Sequence, residues 1–244
     1  KGNTIQFNYI SSDLLVRGRL DAIGSDTLPI LFTSSQPVPG RGTWGALVFA
    51  PGSSGQVNHA VVEYGGSNFA SEGVESQFRL QAGAEVTLEN LTLRDSLNYG
   101  MIVEATAATL TNLSFEDNTR GGIRGDKNAA AEITASRFTK NGQGVAVKDQ
   151  AQLTLRGNVF QENTDALFTY RDESRIRFGN NQFLGNSRTG TVNFLTAASS
   201  EPGNIISGDQ AGLEIGSGDL MESGALYALL GGYYEIHRSR AITP

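Results

Sequence analysis

Apolar and polar residues alternate along the middle of this chain in short bursts, and the bursts recur in register. Residues 86–96 (VTLENLTLRDS) are answered by 108–118 (ATLTNLSFEDN), 132–141 (EITASRFTKN), 153–163 (LTLRGNVFQEN) and 176–186 (IRFGNNQFLGN). Equivalent positions are 22 or 23 residues apart at every step. Each copy holds three short alternations, such as Val86/Leu88, Leu91/Leu93 and, after a turn, Met101/Val103. A period of two over so few residues predicts short strands buried on one face, not helices. Three strands and three turns in one repeat make a triangular coil. One coil cannot bury its apolar side alone, whereas stacked coils share a continuous core. The predicted fold is therefore all-β, a right-handed parallel β-helix. A leucine-rich repeat has a similar period, but its Leu-x-x-Leu-x-Leu-x-x-Asn spacing and helical segment are missing.

The columns of such a solenoid follow from the repeat. Leu93, Phe115, Phe138, Phe160 and Phe183 are equivalent and predicted inward, as are Leu88, Leu110, Ile133, Leu155 and Phe178. Ser96, Asn118, Asn141, Asn163 and Asn186 form a third column, in which stacked amides bond to one another and to the turn backbone. The whole chain reads as one domain in three stretches. Longer, irregular coils occupy 1–80, regular coils 81–194, and a strand or hairpin segment 204–244. Insertions at Ser35–Arg41 and Gly65–Glu75 are predicted to leave the solenoid as loops, where binding is commonly placed. Residues 226–236 read as two strands about Gly231-Gly232, a hairpin capping that end.

Composition narrows the function classes. The net charge is −6 with no basic run, which argues against nucleic acid as a partner. The longest apolar stretch, Ala225–Leu230, is too short to span a membrane, so no insertion is expected. Cysteine is absent, which excludes a disulfide framework and thiolate metal sites. No signal peptide precedes Lys1, as expected of a mature or excised segment. Thirty glycines spread along the chain suit many tight turns.

Candidate chemistry is sparse. His59 and His237 have no second histidine and no fixed carboxylate spacing beside them in sequence, so neither is expected to be a catalytic base. The column preceding the asparagines, Asp95, Asp117, Lys140 and Glu162, is the candidate binding site. Its carboxylates would lie one strand spacing apart, close enough to hold a hard cation such as Ca²⁺. Alternating charge on an exposed face is the competing explanation, with Lys140 as the balancing charge. No cofactor is expected beyond that candidate Ca²⁺, and no catalytic residue is assigned. Asn90-Leu-Thr92 and Asn112-Leu-Ser114 match the glycosylation acceptor pattern, but both fall at equivalent repeat positions. Trp44, Tyr64, Tyr99 and Tyr170 are candidates for stacking on sugar rings, Trp44 being better explained as packing.

Gly18-x-Leu20-x-Ala22, Pro29-Ile30-x-Phe32-Thr33-Ser34, Trp44-Gly45-x-x-x-Phe49 and Asn112-x-x-Phe115-x-x-Asn118 resemble the pectate-lyase-like β-helix repeats of large bacterial surface and secreted proteins. That resemblance implies the fold, but that scaffold carries lyases, glycosidases, epimerases, adhesins and inert stalks alike. A lyase of that kind would use a Lys or Arg base beside Ca²⁺-holding carboxylates, which Lys140 between Asp117 and Glu162 superficially matches. The expected function is a non-catalytic extracellular or cell-surface module, a stalk or adhesin that binds glycan. The alternatives are a carbohydrate-active enzyme and a pure spacer. Expected partners are neighbouring β-helix units of the same chain, and a polysaccharide or other cell-surface ligand. The segment 1–7 reads as strand with no helix before it. Together with Tyr234-Glu-Ile236 and Ile242-Thr-Pro244, which resemble the opening of such a repeat region, it suggests a unit cut from a longer array.

Overall fold

The short alternations fold as strands because each presents one to three apolar side chains to one side and polar ones to the other. In the strand Gln152–Arg156, for instance, Leu153 and Leu155 are fully buried while Gln152 and Arg156 are exposed. The computed structural model describes residues 2–70, 75–104, 106–170, 173–217, 226–227 and 229–236. They wind as a parallel β-helix whose regular coils each contribute one strand to three faces. A representative coil runs through Ala130–Thr134 on the first face, Arg137–Thr139 on the second and Gln143–Val147 on the third. Every named strand pairing is parallel, and the third face is a sheet of ten strands from Leu14–Val16 to Tyr234–Ile236. The first and second faces meet at so shallow a bend that in earlier coils one strand crosses both. Ser54–Glu63, Glu85–Arg94 and Thr106–Glu116 do this.

The predicted columns are present. Phe115, Phe138, Phe160 and Phe183 are fully buried and stack with ring centroids 4.9, 4.8 and 5.1 Å apart. The amide ladder forms as a continuous chain. Asn118 Nδ2 donates to Asn141 Oδ1 at 2.9 Å, and the pattern repeats through Asn163 and Asn186 to Asp209. Each Nδ2 also donates to the carbonyl of an inward residue on the preceding coil, such as Phe115 for Asn141. These bonds satisfy buried backbone groups that a corner would otherwise orphan. A second ladder, unseen in the sequence, runs at the bend between the first two faces through Ser136, Asn158, Asn181 and Asn204.

The C-terminal expectation is corrected. Leu230 bridges Ile205 in parallel, and Tyr234–Ile236 pairs in parallel with Leu213–Ile215. There is no hairpin among the described residues: the chain continues the solenoid. Gly231 (φ 84°) lies level with Ile206 of the preceding coil, two places short of Gly208, and turns the chain early toward the third face. His237 and residues 242–244 lie outside the described residues.

Candidate functional site

Asp95, Asp117, Lys140 and Glu162 are brought together as predicted, on successive coils at the corner between the second and third faces. All four adopt left-handed backbone, with φ of 55°, 53°, 56° and 55°. That conformation turns the chain so that the next residue, Ser96, Asn118, Asn141 or Asn163, enters the core. The first three line a shallow groove of about 470 Å³ with Arg94, Glu116 and Arg137. The charge balance differs from the expectation. Lys140 Nζ lies 3.7 Å from Glu162 and makes no ion pair with Asp117 among the described residues. Arg41, from the insertion after Ile30–Ser34, reaches over instead and sits 3.2 Å from Asp95 and 3.0 Å from Asp117. It also donates to the Asp117 carbonyl. A guanidinium thus holds the place a cation would take, because the insertion returns across this corner. Burial raises the Asp95 carboxyl above its usual range, against the pull of Arg41 and with reinforcement from Asp117. Among the described residues no group of three or more His, Asp or Glu has metal-holding geometry.

A larger groove, about 530 Å³, follows the bend between the first and second faces. Its floor passes five successive bend positions, His59, Asn90, Asn112, Ala135 and Gly157, all with positive φ. Thr92, Ser114 and Arg137 add two hydroxyls and one cation. At its N-terminal end His59 Nδ1 lies 2.9 Å from Asp26 Oδ1. Its Nε2 is 3.3 Å from Asn90 Nδ2. Asn90 Nδ2 further donates to Asn58 Oδ1 at 2.9 Å, and Asn112 Nδ2 donates to Asn90 Oδ1 at 2.5 Å. This outer amide ladder faces solvent, unlike the two inner ones. His59 was expected to lack a partner carboxylate; the structure supplies Asp26, 33 residues upstream (59 − 26). Only coil stacking brings the two together, and the irregular first coils hide that register.

The outer side of the third face is closed by its own side chains. Tyr99 is fully buried beneath Arg124, whose guanidinium lies 4.7 Å from the ring centroid, and its hydroxyl donates to Gln143 Oε1 at 2.6 Å. Burial pushes the Tyr99 phenol above its usual range. Arg124 is held by Asp126 at 2.8 Å and by Glu75 at 2.7 Å, and its hydrogen bond holds the Glu75 carboxyl below the usual range. Tyr99 therefore has no ring face to offer a sugar. Nor has Trp44, fully buried with its ring 4.0 Å from that of Phe7 and its Nε1 donating to the Glu63 carbonyl. Tyr64 and Tyr170 are part-buried, Tyr64 in a left-handed corner and Tyr170 edge-on to Phe168.

Winding, corner residues and ladders together define a parallel β-helix protein. A family model described as "Right handed beta helix region" matches residues 64–220, and the chain belongs to that family. No protein of curated function matches it. Among solved structures it is similar to the crystal structure of the periplasmic alginate epimerase AlgG. The identity is 11% over 96% of this chain and 76% of that one, with a TM-score of 0.47.

Proposed function

We propose that this chain is a non-catalytic β-helix module of an extracellular or cell-surface protein, and that it binds an extended polysaccharide in the groove along the bend between its first and second faces. The observation that carries this reading is the groove itself, open along five coils and lined with polar side chains at Asp26, His59, Asn90, Thr92, Asn112, Ser114 and Arg137. Coils repeat at the spacing of β-strands, about 4.8 Å, so the Asn90 and Asn112 amides and the Thr92 and Ser114 hydroxyls sit in register on adjacent coils, an arrangement that suits successive units of a polyol polymer. These groups are held rigid by strands on either side, which lowers the ordering cost of binding. Charge is a minor element: Asp26 and Arg137 are the charged residues of the lining.

The test is retention on an array of immobilised glycans, with Asn112→Gly combined with Thr92→Val as the groove variant. Glycine keeps the left-handed backbone at position 112 while removing the amide. The reading predicts retention by the native chain, at least tenfold weakening in the groove variant, and no change on Lys140→Ala. No retained glycan, or loss on Lys140→Ala alone, overturns it. A second reading, a carbohydrate-active enzyme, is favoured by the Asp26–His59 contact, since a carboxylate at Nδ1 orients an imidazole for acid–base work. Chain cleavage or epimerisation of a polysaccharide that disappears on His59→Asn would establish it.

A further inference from the structure

The outer ladder beside His59 has a hydrogen-bond direction, and the imidazole sets it. Asn90 has two amide protons and two acceptors for them, Asn58 Oδ1 at 2.9 Å and His59 Nε2 at 3.3 Å. Its Oδ1 accepts from Asn112 Nδ2 at 2.5 Å. With Nε2 accepting, a neutral ring carries its proton on Nδ1, facing Asp26 Oδ1 at 2.9 Å. Every donor in this ladder points from Asn112 toward Asn90, and from Asn90 toward Asn58 and His59. At the exposed end of the ladder, Asn112 donates from its nitrogen to Asn90, which leaves Oδ1, an acceptor, as the side of the amide not engaged in the ladder.

Protonation of the ring adds an N–H on Nε2, directly opposite the Asn90 amide nitrogen. Two donors cannot share that position. The relief with least motion is a half-turn of the Asn90 amide about its last side-chain bond, presenting Oδ1 to the imidazolium. Asn90 Oδ1 then also meets Asn58, which must turn to offer its Nδ2. Asn90 Nδ2 meets Asn112, which must turn to offer its Oδ1. The backbone does not move, since all three turns are about terminal torsions. The charged groups around His59 are Asp26 on the turn packed over it and, on the strand Glu85–Arg94, Glu89 next to Asn90. Arg137 lies at the far end of the groove. Histidine is the side chain whose ordinary titration lies within about pH 5 to 8.

We infer that protonation of His59 reverses the hydrogen-bond polarity of the Asn58–Asn90–Asn112 ladder, changing the group that Asn112 presents to the groove from an acceptor to a donor. This rests on the groove being the binding face, and it makes ligand affinity depend on whether the His59 ring is protonated.

The ladder can be read without a ligand. In ¹⁵N spectra of the chain between pH 8 and 5, the side-chain amide resonances of Asn90 and Asn112 should shift with the same midpoint as the His59 ring. The neutral ring should be the Nδ1–H tautomer, and the inner ladder of Asn118, Asn141 and Asn163 should stay still. In His59→Asn, which suits the left-handed backbone and cannot titrate, the outer amides should become insensitive to pH. Amides of Asn90 and Asn112 that ignore the His59 titration, or an Nε2–H neutral tautomer, overturn the inference. Binding of cellohexaose at pH 5.5 and 7.5 is the second arm. An affinity that differs at least threefold in the native chain and not in His59→Asn supports the link to binding. Equal affinity at both pH values contradicts that link while leaving the binding face intact. Amides that follow His59 with no cellohexaose or other arrayed glycan bound at either pH sink the binding-face reading and leave the reversal standing.

Discussion

The corner between the second and third faces repeats one arrangement with different side chains. A left-handed residue is followed by one whose side chain turns inward: Asp95 before Ser96, Asp117 before Asn118, Lys140 before Asn141, Glu162 before Asn163. From Gly185 onward glycine takes the left-handed place. The inner ladder ends where an aspartate replaces asparagine. Asp209 accepts from the backbone and side-chain nitrogens of Asn186 and from Thr189, and burial raises its carboxyl above the usual range. It lacks the amide proton that each asparagine gives to a neighbouring coil's carbonyl. Asp209→Asn should therefore stabilise the fold by about 1 kcal/mol at pH 7, measured by urea unfolding. The native state holds this proton more tightly than the unfolded chain. The aspartate's penalty is thus full above its raised folded pKa and fades as pH falls through that value. The advantage of the variant should shrink on going from pH 7 to pH 4. A gap that stays constant, or a variant weaker at pH 7, contradicts this account of the ladder's end. One ladder was legible because its column stays polar from Ser96 to Asn186. The other was not, because its column changes chemistry: Leu91 and Leu113 occupy the positions that Ser136 and Asn158 take below.

At the scale of strands and loops, the phenylalanine stack does most of the packing on the second face. Phe138 has a ring neighbour on either side and no exposed surface. Phe138→Ala should cost roughly 3–5 kcal/mol through lost burial and the cavity left behind. Lys140→Ala, two residues on, removes an exposed ion pair of 3.7 Å and should change stability by less than about 1 kcal/mol. Equal losses in thermal unfolding would put the inward register in error. The alternation of apolar and polar residues was enough to make this stack legible in the sequence. The insertions were readable only as departures from it: nothing in residues 35–41 says that Arg41 returns to the corner. Its removal has a defined consequence. Arg41→Ala leaves Asp95 and Asp117 as like charges on adjacent coils, so the variant should gain melting temperature with millimolar Ca²⁺ while the native chain gains little. A Ca²⁺ response of several degrees in the native chain, or none in the variant, would show that Arg41 does not fill the cation position.

Across the whole molecule, the three faces differ in what they leave available. The third is closed outside by ion pairs and the buried Tyr99, and the corner beyond the second is neutralised by Arg41 and Lys140. The bend between the first and second faces leaves an open, polar channel. The winding was legible because a period of 22 or 23 residues admits few other folds. The channel was not, because Asp26 and His59 sit in coils whose insertions obscure the register, and because Asn90 and Asn112 matched an acceptor pattern that the repeat itself explains. The most direct measurement is chemical-shift mapping with the oligosaccharide best retained on the glycan array. The account predicts perturbations running along Asn90, Thr92, Asn112, Ser114 and Arg137, in a line across successive coils. Perturbations gathered instead around Arg120, Gln143 and Tyr170 on the third face would contradict it.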